Sequence, residues 1–244
     1  MRFLTLFIFC SFFSFSQIDS NKTLIPLVSI HFSGHIPGGD LAKRFGPNLN
    51  LGGSFMVKTK RNWLLGLESN YFFGRNVKEN VLTQLKNADG FIIDNEGYPA
   101  DLRVTERGFG IHLTGGKVFD FLSANPNSGL MVSVGAGYLQ SKIKLYDAQQ
   151  KIAAVKGELA HGYDRLSGGF SLTQFVGYMF LSDNRFLNLY FGVESYQGFT
   201  RSIRKLNYDT GLPDTQKRLD MLLGLRFGWI LPLYKKTPNE FYYN

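Results

Sequence analysis

Five residues of chemically versatile types lie at equivalent positions in alternating apolar stretches of the chain. They are Glu68, Glu194, Arg226, His31 and His112. Each belongs to the set of small and polar side chains that alternates with large apolar ones, so all five should face one side of a sheet. Buried charges need partners, and Glu194 and Arg226 lie in consecutive stretches that could pair. We expect a structural interior network, with a gated ion path as the alternative.

Metal binding and catalysis have less support than ion pairing. The histidines lack a metal-ligand spacing of the HExxH kind, so we expect interior histidines with ordinary partners, no metal and no cofactor. A nucleophilic enzyme needs a serine beside a base, for which the candidates are His35 near Ser33 and His161 near Ser167. Neither pair has a recognisable third member at a defined spacing. No catalytic residue is therefore predicted.

Eight stretches with a period of two must position these side chains. Large apolar residues fill one set of alternate positions, and glycines and polar residues fill most of the other, which predicts β-strands with two different faces. The predicted strands are Leu24–Ile36, Asn48–Thr59, Trp63–Gly74, Val104–Phe119, Gly129–Tyr146, Tyr163–Leu181, Arg185–Arg201 and Lys217–Tyr234. The sixth is the least regular, because Gln174 falls on its apolar face. A hydrophobic content of 44% fits strands that are apolar on one face only.

The N-terminus indicates export from the cell. A positive charge at Arg2, the uncharged apolar run Phe3–Phe15 and small residues at Ser14 and Ser16 predict a signal peptide over residues 1–16. No later stretch approaches the roughly 18 apolar residues that a membrane helix needs. For an exported chain of this kind we expect the large apolar face to meet lipid and the small, polar face to line the interior, as in an outer-membrane barrel.

The connections between the predicted strands alternate in length. The short ones are Lys60–Asn62, Asp120–Ser128 and Ser182–Asn184, and the long ones are Pro37–Pro47, Arg75–Arg103, Asp147–Gly162 and Ser202–Gln216. Short periplasmic turns and long extracellular loops are typical of barrels whose two termini are both periplasmic. We predict an all-β fold, an eight-stranded antiparallel up-and-down transmembrane β-barrel over residues 17–234 with a periplasmic tail at 235–244. Trp63 and Trp229 should lie in an aromatic belt at the periplasmic rim.

Basic residues concentrate beside two of the long connections. Near the fourth they are Arg201, Arg204, Lys205, Lys217 and Arg218, and near the third they are Lys142, Lys144, Lys151 and Lys156. At an extracellular edge such groups could contact the phosphates of lipopolysaccharide. A solvated loop surface is the alternative, because aspartates and glutamates are interspersed. The net charge of +8 does not indicate nucleic-acid binding, since the chain is exported and its basic residues are scattered.

The C-terminal tail ends on an aromatic group, Phe241, Tyr242 and Tyr243. Pro238 prevents the last strand from continuing into it. The tail is either a frayed end or a peptide that docks on a periplasmic or membrane partner. We expect docking, because three exposed aromatic residues are unusual in a frayed end.

The ending Phe15-Ser16-Gln17 and the last strand, Gly224–Pro232 with its short tail, resemble small eight-stranded bacterial outer-membrane barrels, the OmpA-like transmembrane class, of Bacteroidota type. The resemblance implies a lumen filled by side chains and no shared catalytic motif. Members of the class differ in role, and it is the filled lumen together with the aromatic tail that leads us to expect a non-enzymatic structural or accessory subunit of a larger envelope complex, with lipid, lipopolysaccharide and a protein as partners. The alternatives are a barrel enzyme acting on lipid A or phospholipid, and a soluble lipocalin-like carrier with its large side chains inside.

Overall fold

The computed structural model describes residues 24–120, 123, 127–147, 151–182 and 187–233. The predicted signal peptide, Tyr234 and the C-terminal tail, with Phe241, Tyr242 and Tyr243, lie outside the described residues. The described strands are β1 (Ile25–Gly39), β2 (Asn48–Lys58), β3 (Trp63–Gly74), β4 (Ile92–Ile93), β5 (Pro99–Ala100), β6 (Leu102–Phe119), β7 (Gly129–Asp147), β8 (Ser167–Phe180), β9 (Leu189–Ser202) and β10 (Lys217–Pro232).

The eight long strands form one closed antiparallel barrel in the ring order β1-β10-β9-β8-β7-β6-β3-β2. The short strands β4 and β5 pair with each other inside the second long loop. Helical segments are brief: α1 (Leu41–Arg44) in the first loop, and 3-10 turns at Thr83–Leu85, Ala153–Val155 and Gly157–Gly162. Among the described residues no helix has the length and apolar character to cross a membrane. The predicted fold class, eight antiparallel strands in a ring, is confirmed.

The predicted strand limits agree with the observed ones within a few residues in most cases. The largest differences are at the starts of β8 and β9, and β8 begins at Ser167 and not at Tyr163. The segment before it is a 3-10 turn, and Arg165 has a positive φ of 47°, a left-handed conformation that interrupts an extended strand. β9 begins at Leu189 and not at Arg185, because Leu187 and Asn188 before it are not in a strand; residues 183–186 lie outside the described part of the chain.

The large apolar side chains of the barrel face outward. Leu65, Leu113 and Leu225 are among the most exposed, at 69%, 68% and 71% of their surface, whereas the alternate residues Asn50 and His112 are fully buried. This is the orientation predicted for a membrane barrel and the reverse of the one that a lipocalin-like carrier requires. Trp63 and Trp229 also face outward, near the end where the short connections lie.

The barrel has a turn end, where the short connections β2–β3, β6–β7 and β8–β9 lie, and a loop end, where the long ones lie. Many inward positions near the turn end are apolar, which corrects the expectation of a small and polar interior at that end; the buried Lys58 and Asn62 lie beside them. The apolar residues form a turn-end cluster of Ile25, Leu27, Met56, Leu64, Val118, Met131, Phe175, Met179, Leu181, Tyr190 and Ile230. The first two long loops bring Leu41, Phe45 and Val81 onto the inward-facing Phe72, Leu139, Ile143, Tyr196 and Leu222, a loop-end cluster. Polar side chains fill the lumen between the two clusters.

Candidate functional site

The centre of the lumen holds an ion network around Arg226 of β10. Its Nη1 and Nη2 donate to the two carboxylate oxygens of Glu68 at 2.7 and 2.6 Å. The same guanidinium contacts the Glu194 carboxylate and donates to the Tyr196 hydroxyl at 2.8 Å. β3 and β10 are three places apart in the ring, so the pair of Arg226 with Glu68 crosses the lumen. All four side chains are buried because they occupy inward positions of their strands.

Neutral polar groups surround these charges. Asn70 donates to Glu68 at 2.8 Å, and its amide oxygen is 2.8 Å from Nε2 of His31. The Tyr196 hydroxyl is within 3.2 Å of both carboxylates. His112 is the cross-strand partner of Glu68, and its Nε2 is 2.7 Å from the hydroxyl of Ser171. The structure thus brings Glu68, Glu194 and Arg226 into direct contact, connects His31 through an amide, and places His112 on β6 in a separate hydrogen bond.

His35 is a member of the network that the sequence argument assigned elsewhere. Its Nε2 is 2.8 Å from the Glu194 carboxylate and its Nδ1 is 3.2 Å from the Asn48 amide oxygen. This is a lumen position, not the rim or lipid-facing position that a lipid-modifying enzyme would need. The sequence did contain a signal for this inward position, because His35 follows His31 and Ser33 at alternate positions of the same strand. The other candidate pair is separated: His161 is exposed on a 3-10 turn, and the buried Ser167 accepts a hydrogen bond from Arg44.

A second buried ion pair closes the loop end. Arg44, in the last turn of α1, donates to Asp220 at 2.7 Å and to the Ser167 hydroxyl at 2.8 Å. Thr200 also donates to Asp220, at 2.6 Å. Leu41 and Phe45 on either side of Arg44 are buried in the loop-end cluster. We name the segment Leu41–Phe45, held at the loop end by Arg44, the plug. Sequence reasoning missed it, although the spacing of Leu41 and Phe45 at i and i+4 in a loop was a signal that the segment buries one face.

The five predicted lipopolysaccharide contacts divide into two groups. Asp164 binds the guanidinium of Arg204 with two hydrogen bonds, and this contact raises the pKa of Arg204. Arg218 contacts Asp214. These two arginines are therefore already neutralised by aspartates. The remaining three, Arg201, Lys205 and Lys217, are exposed, and Arg201 and Lys217 are opposite each other on β9 and β10.

One polar group interrupts the outward apolar surface. The side-chain amides of Gln174 on β8 and Gln197 on β9 hydrogen-bond reciprocally at 2.8 and 2.9 Å. Gln197 also donates to the hydroxyl of Ser195 at 3.0 Å. The exposed Val176 and Phe199 lie on the same outward faces. We name Gln174, Gln197 and Ser195 the amide patch. It is the irregularity that the sequence showed at position 174.

In the described part of the chain, no three or more histidine, cysteine, aspartate or glutamate side chains are grouped so that they could hold a metal ion. A closed antiparallel ring with an apolar outer surface and a polar, occupied lumen is the architecture of a transmembrane β-barrel.

Several solved structures are similar to this chain in fold. The attachment invasion locus protein Ail of Yersinia pestis is 11% identical, covers 86% of this chain and 99% of its own, and has a TM-score of 0.43; Ail is also known in complex with the heparin analogue sucrose octasulfate. The outer membrane protein OprG of Pseudomonas aeruginosa is 11% identical, with coverages of 88% and 99% and a TM-score of 0.39. The N-terminal β-barrel domain of OprF from the same bacterium is 10% identical, with coverages of 83% and 97% and a TM-score of 0.35. No protein-family model and no curated protein matches the chain.

Proposed function

We propose that this chain is an integral outer-membrane β-barrel without enzymatic activity and that it serves as a structural or accessory subunit of a larger envelope complex. Barrel assembly, secretion and uptake are the kinds of machinery that such a subunit joins. We place both termini in the periplasm and the long loops outside the cell, and we propose that the barrel is of the type found in Bacteroidota. The observation that carries the proposal is a lumen closed at both ends, which leaves the outer surface as the place where function resides.

The closed lumen argues against transport and catalysis inside the barrel. An ion path would have to cross the turn-end cluster and the loop-end cluster, where a bare charge is strongly disfavoured. Between them the Arg226 guanidinium contacts two carboxylates, those of Glu68 and Glu194. A buried network of this kind braces opposite walls of the barrel, and its three charged groups, Arg226, Glu68 and Glu194, contact one another. The lumen residues are therefore structural in this proposal.

The amide patch supports a lateral protein partner. Polar side chains that face hydrocarbon are costly unless they are hydrogen-bonded, and Gln174 and Gln197 satisfy each other only in part. Both amide hydrogens of Gln197 are used, but Gln174 keeps one donor hydrogen and each amide oxygen can accept a second hydrogen bond. A partner that brings polar side chains to the same depth would satisfy that capacity. Interhelical contacts in membranes use glutamine and serine in the same manner.

The cations and the tail complete the proposal. Arg201, Lys205 and Lys217 are exposed at the loop end and are the members of the predicted set that remain available to lipopolysaccharide phosphates. The tail with Phe241, Tyr242 and Tyr243 is proposed to dock on a periplasmic or membrane partner.

Site-specific photo-crosslinking in growing cells tests the accessory role. A photoreactive residue at position 197 should form a discrete protein adduct, and the Gln174→Leu variant should weaken that adduct. Position 65 is the matched control, because Leu65 is exposed on β3, on the opposite side of the ring. Deleting residues 235–244 tests the tail in the same cells. Equal labelling at positions 197 and 65, or labelling of lipid alone at position 197, would refute a lateral protein partner.

A further inference from the structure

Four cations line a cleft on the outside of the barrel near the loop end. They are Arg75 after β3, Arg103 and Arg107 on β6, and Lys144 on β7, and they enclose a volume of about 610 Å³ with Val104, Thr105 and Tyr146. The cross-strand partner of Arg107 on β7 is Lys142, which adds a fifth positive charge beside the cleft. We name these five residues the cationic edge.

The register places the cationic edge directly above lipid-facing aromatic residues. On β6, Arg107 is two residues from Phe109 and on the same outward face. Phe109 pairs with Tyr71 on β3 and Gln140 on β7, and one step further Ile111 pairs with Tyr138. Two residues of a strand span about 7 Å. Over that distance the outer surface therefore changes from exposed aromatic and aliphatic side chains to arginine and lysine. This change matches the one from apolar acyl chains to charged headgroups at the surface of a membrane.

The cationic edge is poorly neutralised by the protein itself. Among the described residues, its one carboxylate contact is Asp101 with Arg103 at 2.9 Å, and both side chains are more than 70% exposed, so the pair is weak. Arg107 donates to the main-chain carbonyl of Glu106, and it lies opposite Lys142, a like-charge pair that disfavours the sheet. Arg204 and Arg218, in contrast, have aspartate partners. A bound anion would remove this repulsion.

We propose that the cationic edge binds the phosphate groups of an outer-leaflet glycolipid, whose acyl chains lie along Tyr71, Phe109 and Tyr138. Arginine forks suit phosphate because they donate two parallel hydrogen bonds. A lipid-borne phosphate is favoured over a soluble one because the cleft continues into the apolar surface below it. This site rests on the proposed outer-membrane location and is independent of the accessory role. It includes Lys142 and Lys144 from the cluster that the sequence indicated beside the third loop, adds Arg75, Arg103 and Arg107, and differs from the cluster beside the fourth loop.

Binding of lipid A to the purified full-length chain in detergent micelles tests the site. The probes are lipid A with two phosphates, the same lipid after removal of its phosphates, and inorganic phosphate as a competitor. In Arg107→Gln/Lys144→Gln the affinity for bisphosphorylated lipid A should fall by about tenfold or more, since two charge-assisted contacts are lost. Lys60→Gln/Arg61→Gln removes the same charge at the turn end and should change it by less than about twofold.

Four outcomes would overturn the proposal. These are unchanged affinity in Arg107→Gln/Lys144→Gln, equal binding of dephosphorylated lipid A, competition by inorganic phosphate at lipid A concentrations, and a larger loss in Arg201→Gln/Lys217→Gln. Heat-dependent gel mobility shows in each case that the variant is folded. Flotation of the wild-type chain with lipid vesicles separates the two proposals: a chain that fails to float refutes the membrane location, whereas a floating chain without phosphate-dependent binding refutes this site alone.

Discussion

Replacing Arg226 with methionine tests the central network. Arg226 is the described cation that contacts both Glu68 and Glu194. Methionine keeps an unbranched apolar stem but leaves two carboxylates facing each other in a lumen that is closed by apolar clusters. Removing one partner of a buried ion pair costs about 3–5 kcal/mol. We expect the free energy of unfolding to fall by about 4 kcal/mol, because neighbouring polar groups still hydrogen-bond the carboxylates but no cation offsets their repulsion.

The assay is urea unfolding in micelles, followed by tryptophan fluorescence and by heat-dependent gel mobility. The matched control adds Glu68→Gln and Glu194→Gln to Arg226→Met, which replaces the whole triad by uncharged side chains. Replacing a complete buried network is often neutral, so this triple variant should recover most of the lost stability. A single variant within about 1 kcal/mol of the wild type would refute the reasoning, because exposed ion pairs have that magnitude. A triple variant no more stable than Arg226→Met would refute it as well.

Two further predictions concern the loop end. Arg44→Ala removes the cation that holds the first long loop to the buried Asp220, so protease should cleave that loop at concentrations that spare the wild type. Lys43→Ala, at a side chain that is 76% exposed, should leave cleavage unchanged, and equal resistance of both variants would contradict the plug. Burial raises the pKa of Asp214, but the hydrogen bond from Arg218 outweighs it and the pKa lies below its ordinary value. Because the pKa of Asp214 is lower in the folded than in the unfolded state, the contact stabilises the loop at pH values above the unfolded-state pKa, and this stabilisation is lost as the pH falls through the folded-state pKa. In Arg218→Gln the pKa of Asp214, measured by NMR titration, should rise. An unchanged pKa would assign the shift to another cause.

Local periodicity was sufficient to predict the strands and their faces. β3 was predicted with both of its limits, and the inward positions of Glu68 and Arg226 followed from alternation, because successive side chains of a strand must point to opposite sides. The prediction failed where the chain is not periodic. The start of β8 was placed too early because a 3-10 turn and the positive φ of Arg165 carry no period-two signal. The apolar turn-end cluster was also unforeseen, since alternation assigns a face but not what that face packs against.

Contacts between distant segments required the closed ring. Glu68 and Arg226 are 158 residues apart in sequence and meet because strands that are not neighbours face each other across a narrow lumen. The long loops show the same dependence for Arg204, whose partner Asp164 is 40 residues away in sequence. The partner of Arg218, Asp214, is only four residues away, and that contact is local. The cationic edge combines residues of β6 and β7 with Arg75, which directly follows β3, so the pairing of these three strands brings its charges together.

The sequence by itself thus determined the number of barrel strands, their alternating faces and the alternation of short and long loops, because these are local properties of consecutive residues. The tertiary structure decided which charges are neutralised, where the lumen is closed and where unneutralised cations gather above the apolar surface. Those features depend on ring closure and on the relative register of strands, which set distances between residues far apart in the chain.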